Sequence, residues 1–170
     1  MTCLSRRQPL ALLLAALIIT FGCGGSSPTS DSSYPSVQGI YGSYAGPAVG
    51  SSQQRWTAPD GSVTVVTCSV VISIPNQSGA QFSGTIARLS GCNSQATLAG
   101  EVSRDGTIRF TVTQARWDTC TATGTNSYTG VVHLGSLLAN GRVTAQCDDG
   151  RSMVIDEQLS GSQSAPPTTG

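Results

Sequence analysis

The feature that most constrains this fold is a two-residue alternation of apolar and polar side chains that recurs along the chain. Between residues 66 and 74 the even positions are apolar and most odd positions are polar, and residues 107–113 and 142–147 repeat the pattern. Each segment predicts a strand with one buried and one solvated face, which is the usual arrangement in antiparallel sheets. Because no stretch after Phe21 has the pattern of a long amphipathic helix, we expect an all-β fold.

Four dipeptides predict tight turns between these strands. They are Asp60-Gly61, Asp105-Gly106, Asn140-Gly141 and Asp149-Gly150. Asp-Gly and Asn-Gly supply the positive φ angles that two-residue hairpin turns require. Short turns at regular spacing favour an antiparallel up-and-down meander of about eight strands.

A second repeat consists of an apolar residue, one spacer and a glycine. It occurs as Tyr44-Ala-Gly46, Phe82-Ser-Gly84, Leu98-Ala-Gly100, Tyr128-Thr-Gly130 and Leu159-Ser-Gly161. A glycine that faces inward lets a strand bend sharply, and a large neighbouring side chain can cover the gap it leaves. The repeat therefore favours a meander closed into a small barrel, with a β-sandwich as the alternative.

The strand pattern loosely resembles the lipocalin and calycin type of barrel. Gly39-Ile-Tyr41 lies near the first expected strand, where lipocalins carry Gly-x-Trp. The resemblance concerns the strand layout alone, and it assigns no ligand-binding residue to this chain.

The first 23 residues have the three parts of a secretory signal. Arg6 and Arg7 precede an apolar run over residues 10–21, and Gly22-Cys23 ends it. The run is shorter than the ~20 residues that a membrane-spanning helix needs. A small residue followed by Cys resembles the lipobox of bacterial lipoproteins, which implies that Cys23 is lipidated by acyl chains such as palmitate and becomes the new N-terminus. The resemblance places the protein on the extracytoplasmic side of a cell-envelope membrane, and Gly24 favours the outer membrane.

Composition divides the chain into four parts. We expect a signal peptide over residues 1–22, a lipid anchor and flexible Gly/Ser linker over 23–36, a β-barrel-like domain over 37–161 and a disordered tail over 162–170. Loss of Arg6 and Arg7 with the signal leaves seven basic against nine acidic residues, a net charge of −2. This balance argues against nucleic acid as a partner, because nucleic-acid binding needs clustered positive charge.

Four cysteines remain once Cys3 leaves with the signal and Cys23 takes lipid. An even number in an exported chain predicts two disulfides among Cys68, Cys92, Cys120 and Cys147. Sequence neighbours in a meander are usually spatial neighbours, so we expect Cys68–Cys92 and Cys120–Cys147. The alternative is Cys92–Cys120 with Cys68–Cys147. The chain has no CxxC and a single His, so a zinc site is not expected.

Few residues suggest a binding or catalytic site. His133 alternates outward, which leaves no base for nucleophilic catalysis. Trp117 and Tyr128 fit a core best, although Trp117, in an expected long connection over 115–126, is also the best exposed aromatic anchor. Asp148 and Asp149, with Asp118 at the same end, lack the ligand spacing of a calcium loop.

Glu157 is the unusual carboxylate because it shares a strand face with Ile155 and Leu159. The preferred interpretation is a bulge or strand end that turns Glu157 into water. If it faces inward it needs a partner such as Arg88, and it becomes a candidate ligand contact beside Trp117 and Tyr128.

These observations favour a membrane-anchored, non-catalytic lipoprotein with a β domain for envelope interaction or structure. The alternative is a lipocalin-like carrier of a small apolar or amphipathic ligand. The expected partners are the membrane, through the anchor, and either an envelope protein or such a ligand. No enzyme, cofactor or metal is expected.

Overall fold

The computed structural model describes residues 34–42 and 50–164, and within these ranges the protein is built from β-strands without a helix. The strands are β1 (Gly39–Tyr41), β2 (Ser51–Thr57), β3 (Val63–Ser78), β4 (Gln81–Leu89), β5 (Ser94–Val102), β6 (Thr107–Trp117), β7 (Cys120–Thr123), β8 (Asn126–His133), β9 (Ser136–Cys147) and β10 (Ser152–Ser162). The described part of the chain accordingly contains no helix that could cross a bilayer. The predicted signal peptide, Cys23, most of the linker and the end of the tail lie outside the described residues.

The strands form a closed antiparallel barrel with eight positions. From β2 to β6 each strand pairs with the next along the chain, β9 pairs with β10, and β10 pairs with β2 to close the ring. The short β7 and the longer β8 lie end to end between β6 and β9, so together they occupy one position. In the same way β1 and β2 both pair with β3 at different heights. The predicted up-and-down meander of about eight strands is confirmed, and the sandwich alternative is not what forms.

The alternation of the sequence explains which residues fill the interior. Along β9 and β5 nearly every second side chain is buried and the side chains between them are exposed. Burial of apolar area stabilises a fold by about 25 cal/mol per Å². The apolar core includes Tyr41, Val70, Ile72, Ile86, Leu98, Ile108, Phe110, Tyr128, Val143, Ile155 and Leu159.

The turns lie at two rims. The rim that we call the disulfide rim carries the turns at residues 58–62, 90–93, 118–119 and 148–151. The opposite rim, which we call the N-terminal rim, carries the turns at 79–80, 103–106 and 134–135 together with the start of β1 and the end of β10.

Three of the four predicted turn dipeptides lie in turns. Gly61, Gly106 and Gly150 have φ values of +83°, +86° and +83°, as tight turns require. The prediction for Asn140-Gly141 was wrong, because both residues lie within β9. The β8–β9 hairpin turns instead at Leu134-Gly135, with φ values of +47° and +73°.

The prediction of a long connection over residues 115–126 was also wrong. β6 continues to Trp117, residues 118 and 119 make a short turn, and β7 begins at Cys120. This segment pairs directly with β9, where Cys120 is opposite Cys147. A segment with its own backbone partners is a strand, although its four threonines and Gly124 give little apolar alternation.

The cysteines pair as expected. Cys68 on β3 bonds to Cys92 in the β4–β5 turn, with 5.8 Å between the Cα atoms, and Cys120 bonds to Cys147. The bonded cysteines are 24 residues apart in the first disulfide and 27 in the second, so each bond closes a short loop. Loops of this length correspond to about 3 kcal/mol of stabilisation per disulfide, mainly through restriction of the unfolded chain.

The apolar-x-Gly repeat marks places where strands approach closely. Gly100 on β5 lies opposite both Phe82 and Phe110. A Cβ at Gly100 would collide with the β6 backbone at Arg109 and Phe110, so any other residue would push the two strands apart. Tyr44-Ala-Gly46 lies outside the described residues.

Candidate functional site

The interior of the barrel contains a buried carboxyl group, that of Glu157. Glu157 lies on β10 with Ile155 and Leu159 on the same inward face, and only 2% of the residue is exposed. The preferred interpretation from the sequence, a bulge or strand end that turns this carboxylate into water, was wrong. β10 pairs in continuous register with both β2 and β9 around residue 157, so the strand has no irregularity that could rotate the side chain outward.

Arg88 on β4 is the partner of Glu157. Its Nε lies 2.5 Å from Oε1 and its Nη2 lies 2.5 Å from Oε2, which makes a two-point ion pair. Both side chains are fully buried. Since β2 and β3 separate β10 from β4 around the ring, the pair spans the lumen and joins two walls of the barrel that share no backbone hydrogen bonds.

Three further side chains donate hydrogen bonds to the same carboxylate. The Gln54 amide donates to Oε1 at 3.0 Å, the Tyr128 hydroxyl donates to Oε2 at 2.5 Å, and the Ser52 hydroxyl donates to Oε1. With the two bonds from Arg88 the carboxylate accepts five hydrogen bonds. A carboxylate has about four lone-pair positions, so its acceptor capacity is used in full.

Strand register brings these groups together. Glu157 lies directly opposite Gln54 on β2 and Gly141 on β9, and Gly141 lies opposite Tyr128 on β8. Because Gly141 has no side chain, the Tyr128 ring lies over it and its hydroxyl reaches Glu157 one strand further on. A Cβ at position 141 would collide with that ring. This need explains why Asn140-Gly141 lies within a strand although the dipeptide is typical of turns.

Aromatic rings lie on both sides of the ion pair. On one side Tyr128 stacks on Phe110, with ring centroids 5.1 Å apart and planes 6° apart. On the other side the Arg88 guanidinium lies 5.5 Å from the ring centroid of Trp117, which contacts Trp56 edge to face. Such cation–π contacts favour a charged guanidinium in a dry site.

Trp117 and Tyr128 therefore belong to the interior, and Trp56 packs against it. Trp117 is only 4% exposed, which agrees with the preferred prediction of a core residue and contradicts the alternative of an exposed aromatic anchor. Its ring is turned inward because the pairing of β6 with β5 has a register irregularity between residues 113 and 116, after which the odd-numbered Ala115 and Trp117 are buried in place of even-numbered residues. Trp56 is half-buried, and its Nε1 donates to Gln54 at 3.0 Å. Trp117 Nε1 is buried and has no hydrogen-bond partner among the described residues.

The ion pair sets the protonation states of the cluster. Burial alone would raise the pKa of Glu157, but the Arg88 charge and the hydrogen bonds from Arg88, Ser52 and Tyr128 outweigh it, so its pKa lies below the ordinary value. Burial and the neighbouring Glu157 charge raise the pKa of Tyr128. Burial disfavours the charged form of Arg88, yet Glu157 holds its pKa above the ordinary value.

This arrangement is suited to holding the barrel together. An acid or base in catalysis must exchange a proton with a substrate, which requires access and a free lone pair. Here the carboxylate is buried, ionised and surrounded by donors, and Arg88 also donates to Ser94 at 3.1 Å. The cluster behaves as a lumen-spanning brace made of Ser52, Gln54, Arg88, Tyr128 and Glu157.

The other titratable residues considered from the sequence lie apart from this brace. His133 is exposed near the N-terminal rim, as its alternation predicted. Asp149 binds the backbone and guanidinium of Arg151, and Asp148 lies 3.8 Å from Arg116. Within the described ranges no three His, Cys, Asp or Glu residues are grouped as a metal site.

The outer wall carries a polar groove of about 630 Å³ over β2, β8, β9 and β10. Its lining includes Gln53, Arg55, Asn140 and Arg142, and Arg142 pairs with Asp156 at 2.6 Å. The groove is open to solvent and carries no buried donor or acceptor that lacks a partner. We therefore regard it as ordinary surface of a polar β-protein.

Comparison with known proteins assigns no relative to this chain: no family model, curated protein or solved structure matches it.

The pair of Arg88 and Glu157 was predicted from the sequence as one possibility, but the hydrogen-bond donors Ser52 and Gln54 were not. Ser52 and Gln54 alternate with Ser51 and Gln53, so polarity cannot tell which of the two sets faces inward. The only usable signal was Trp56, which is in phase with Ser52 and Gln54 and contributes to the interior. Gly141 makes room for the ring of Tyr128 on another strand, so the sequence around Gly141 does not indicate this role.

We predict that Glu157→Gln destabilises the barrel by about 3–5 kcal/mol, because it leaves the Arg88 charge buried without a counter-ion. The double variant Arg88→Met with Glu157→Leu should regain a large part of this loss, since both buried charges are then removed. The free energy of unfolding in urea measures both effects. Asp156→Asn, which breaks an exposed pair on the same strand, is the matched control and should change little. If Glu157→Gln and Asp156→Asn lowered the free energy of unfolding equally, this result would contradict a buried brace.

The same pair predicts a pH dependence of stability. Because the folded pKa of Glu157 lies below its unfolded value of about 4.3, the contribution of the pair is complete above that value. It is lost as the pH falls through the folded pKa. Urea unfolding of the wild type and of Glu157→Gln should therefore differ most near neutral pH, and the difference should shrink in acid. A difference that stays constant into strong acid would contradict the assignment.

Proposed function

We propose that this protein is a lipid-anchored lipoprotein of the cell envelope whose barrel is a rigid, non-catalytic module. In this proposal Cys23 carries the lipid, and the barrel contacts another envelope component or contributes to surface structure. The outer membrane is the preferred location.

The cysteine chemistry supports an extracytoplasmic location. Two disulfides within one small domain indicate an oxidising compartment, because cytosolic thiols are kept reduced. The N-terminal sequence supports export independently through its Arg6-Arg7 start, its apolar run and its Gly22-Cys23 end. Two or more acyl chains on Cys23 would hold the protein stably at a membrane, whereas a single chain holds only marginally.

The observation that carries the proposal of a rigid module is the occupied lumen. An eight-stranded barrel has an interior that its own side chains can fill or that can hold one small ligand. Here Arg88 and Glu157 meet across the centre, and Tyr128, Ile86 and Ile108 are each at most 1% exposed. A carrier of an apolar ligand would have to displace this charged brace, so we favour the packed module over the carrier.

The non-catalytic assignment has support from the same cluster. The buried carboxylate has its lone pairs occupied by donors, and the single His of the chain is exposed. The pairs of opposite charge that we describe elsewhere, such as Arg151 with Asp149, lie in turns or on open strand faces.

Mass spectrometry of the protein extracted from membranes tests the anchor. We predict a chain that begins at residue 23 and carries a lipid mass on its first residue. Cys23→Ser should lose that lipid mass, whereas Cys3→Ser, which alters a cysteine within the signal, should keep it. A purified protein that begins at Met1, or that has an unmodified thiol at Cys23, would overturn the proposal.

A further inference from the structure

The N-terminal rim carries a patch of exposed apolar side chains. Leu134, at the tip of the β8–β9 hairpin, is 90% exposed, and Val131, Leu138 and Ile40 are 48%, 43% and 44% exposed. Large apolar side chains this exposed are unremarkable one at a time, but a group of them marks a contact surface. We call these four residues the rim patch.

Strand pairing places the rim patch on one sector of the rim. Val131 on β8 lies directly opposite Leu138 on β9, immediately behind the hairpin tip. The end of β10 joins this hairpin to β1, since Gln163 donates its backbone N–H to the Gly135 carbonyl and also pairs with Tyr41. Ile40 therefore lies two strand positions around the rim from Leu134.

Leu134 is in an unfavourable backbone conformation for its residue type. Its φ of +47° belongs to the left-handed region, which Asn and Gly adopt readily and Leu seldom does. Asn-Gly is the preferred pair for such a hairpin turn, yet the chain has Leu-Gly. A large apolar residue that is exposed and also in a strained conformation is poorly explained by folding stability alone.

The chain enters the barrel at this same rim. Gln77, beside the 79–80 turn, accepts a hydrogen bond from the Val37 backbone and donates one to the Pro35 carbonyl. Tyr34 lies under the guanidinium of Arg104, in the 103–106 turn, at 5.7 Å. Only ten residues separate Cys23 from Tyr34, which span at most roughly 35–40 Å at full extension. A lipid on Cys23 would thus hold the N-terminal rim nearest to the bilayer.

We propose that the rim patch inserts into the lipid interface and sets the orientation of the barrel on the membrane, with the disulfide rim pointing away. This proposal rests on the proposed lipid anchor, and it names the bilayer as the partner of the N-terminal rim. The patch is apolar, with Arg104 and Asp105 nearby giving no net charge, so contact depends on burial of side chains rather than on anionic lipid.

Tryptophan fluorescence in vesicles tests the contact. The lipidated variant Leu134→Trp is reconstituted into vesicles of phosphatidylethanolamine and phosphatidylglycerol, with and without bromine on the acyl chains. The matched control is Val65→Trp, which replaces an exposed Val on the β2–β3 hairpin near the disulfide rim. The native Trp56 and Trp117 lie near the disulfide rim and give the same background in both variants.

We expect brominated lipid to quench the emission of the Trp added at position 134. We also expect the emission maximum of Leu134→Trp to shift to the blue on the vesicles, and neither effect in Val65→Trp. Anchored protein without quenching at position 134, or with equal quenching at both positions, would overturn the membrane contact and leave the anchor intact. The first of these results would point to a protein partner for the patch. A protein that carries no lipid and does not float with the vesicles would overturn the proposed anchor. The proposed membrane contact, which rests on the anchor, would then be overturned as well.

A second pair of variants separates insertion from folding. The single variant Val131→Trp reports how deeply the patch enters the lipid. It is compared with the double variant that carries Val131→Trp and Leu134→Asn. Because Asn suits the left-handed conformation, the added substitution should raise the urea midpoint while it reduces quenching of Trp at position 131. Undiminished quenching in this better-folded variant would show that the hairpin tip is not what enters the lipid.

Discussion

The ion pair between Arg88 and Glu157 is the interaction on which the barrel interior depends. Either charge alone in this lumen would be strongly unfavourable, because burial removes its hydration. Each therefore requires the other, and the remaining oxygen lone pairs require donors. Those donors come from β2 and β8, while the pair itself joins β4 to β10. Four of the eight barrel positions are thus tied to one carboxylate.

Such a network contributes to specificity more clearly than to stability. Replacement of a buried ion pair by apolar residues is often neutral, so the pair is weak evidence for a stable barrel. Its position is informative, however, because it lies beside the closing seam, where Ser52 and Glu157 are 105 residues apart in sequence. A slip of β10 by one residue would expel Glu157 to the outer face and bring Asp156 or Gln158 inward. We infer that the network fixes the register in which the barrel closes.

The fold could be predicted from the sequence where the signal was local. Alternation within a strand and Asp-Gly at a turn act over a few residues, and cysteine pairing in a meander follows from chain order. The errors arose where a distant strand decided the outcome. Gly141 is in a strand because Tyr128 needs its space, and the segment around Cys120 is a strand because β9 pairs with it.

The candidate site was less predictable for the same reason. Glu157 is buried because Arg88 lies across the lumen, and an interpretation limited to β10 favoured exposure. Trp117 was assigned to a loop, and with the loop absent its side chain packs on Arg88. The function we propose combines a local signal at Cys23 with a lumen that side chains occupy. The proposed lipid contact of the rim patch would place the membrane at the end of the barrel where the chain enters.

The most direct measurement of the central claim is a carboxyl carbon NMR titration of Glu157 in the folded protein. The chain has only two glutamates, Glu101 and Glu157, so the two side-chain signals can be assigned with one substitution. Our account predicts that the Glu157 carboxylate stays ionised as the pH falls below about 4.3, the ordinary pKa of this group. Protonation of Glu157 at or above that value in the folded barrel would show that Arg88 does not hold it, and would contradict the account.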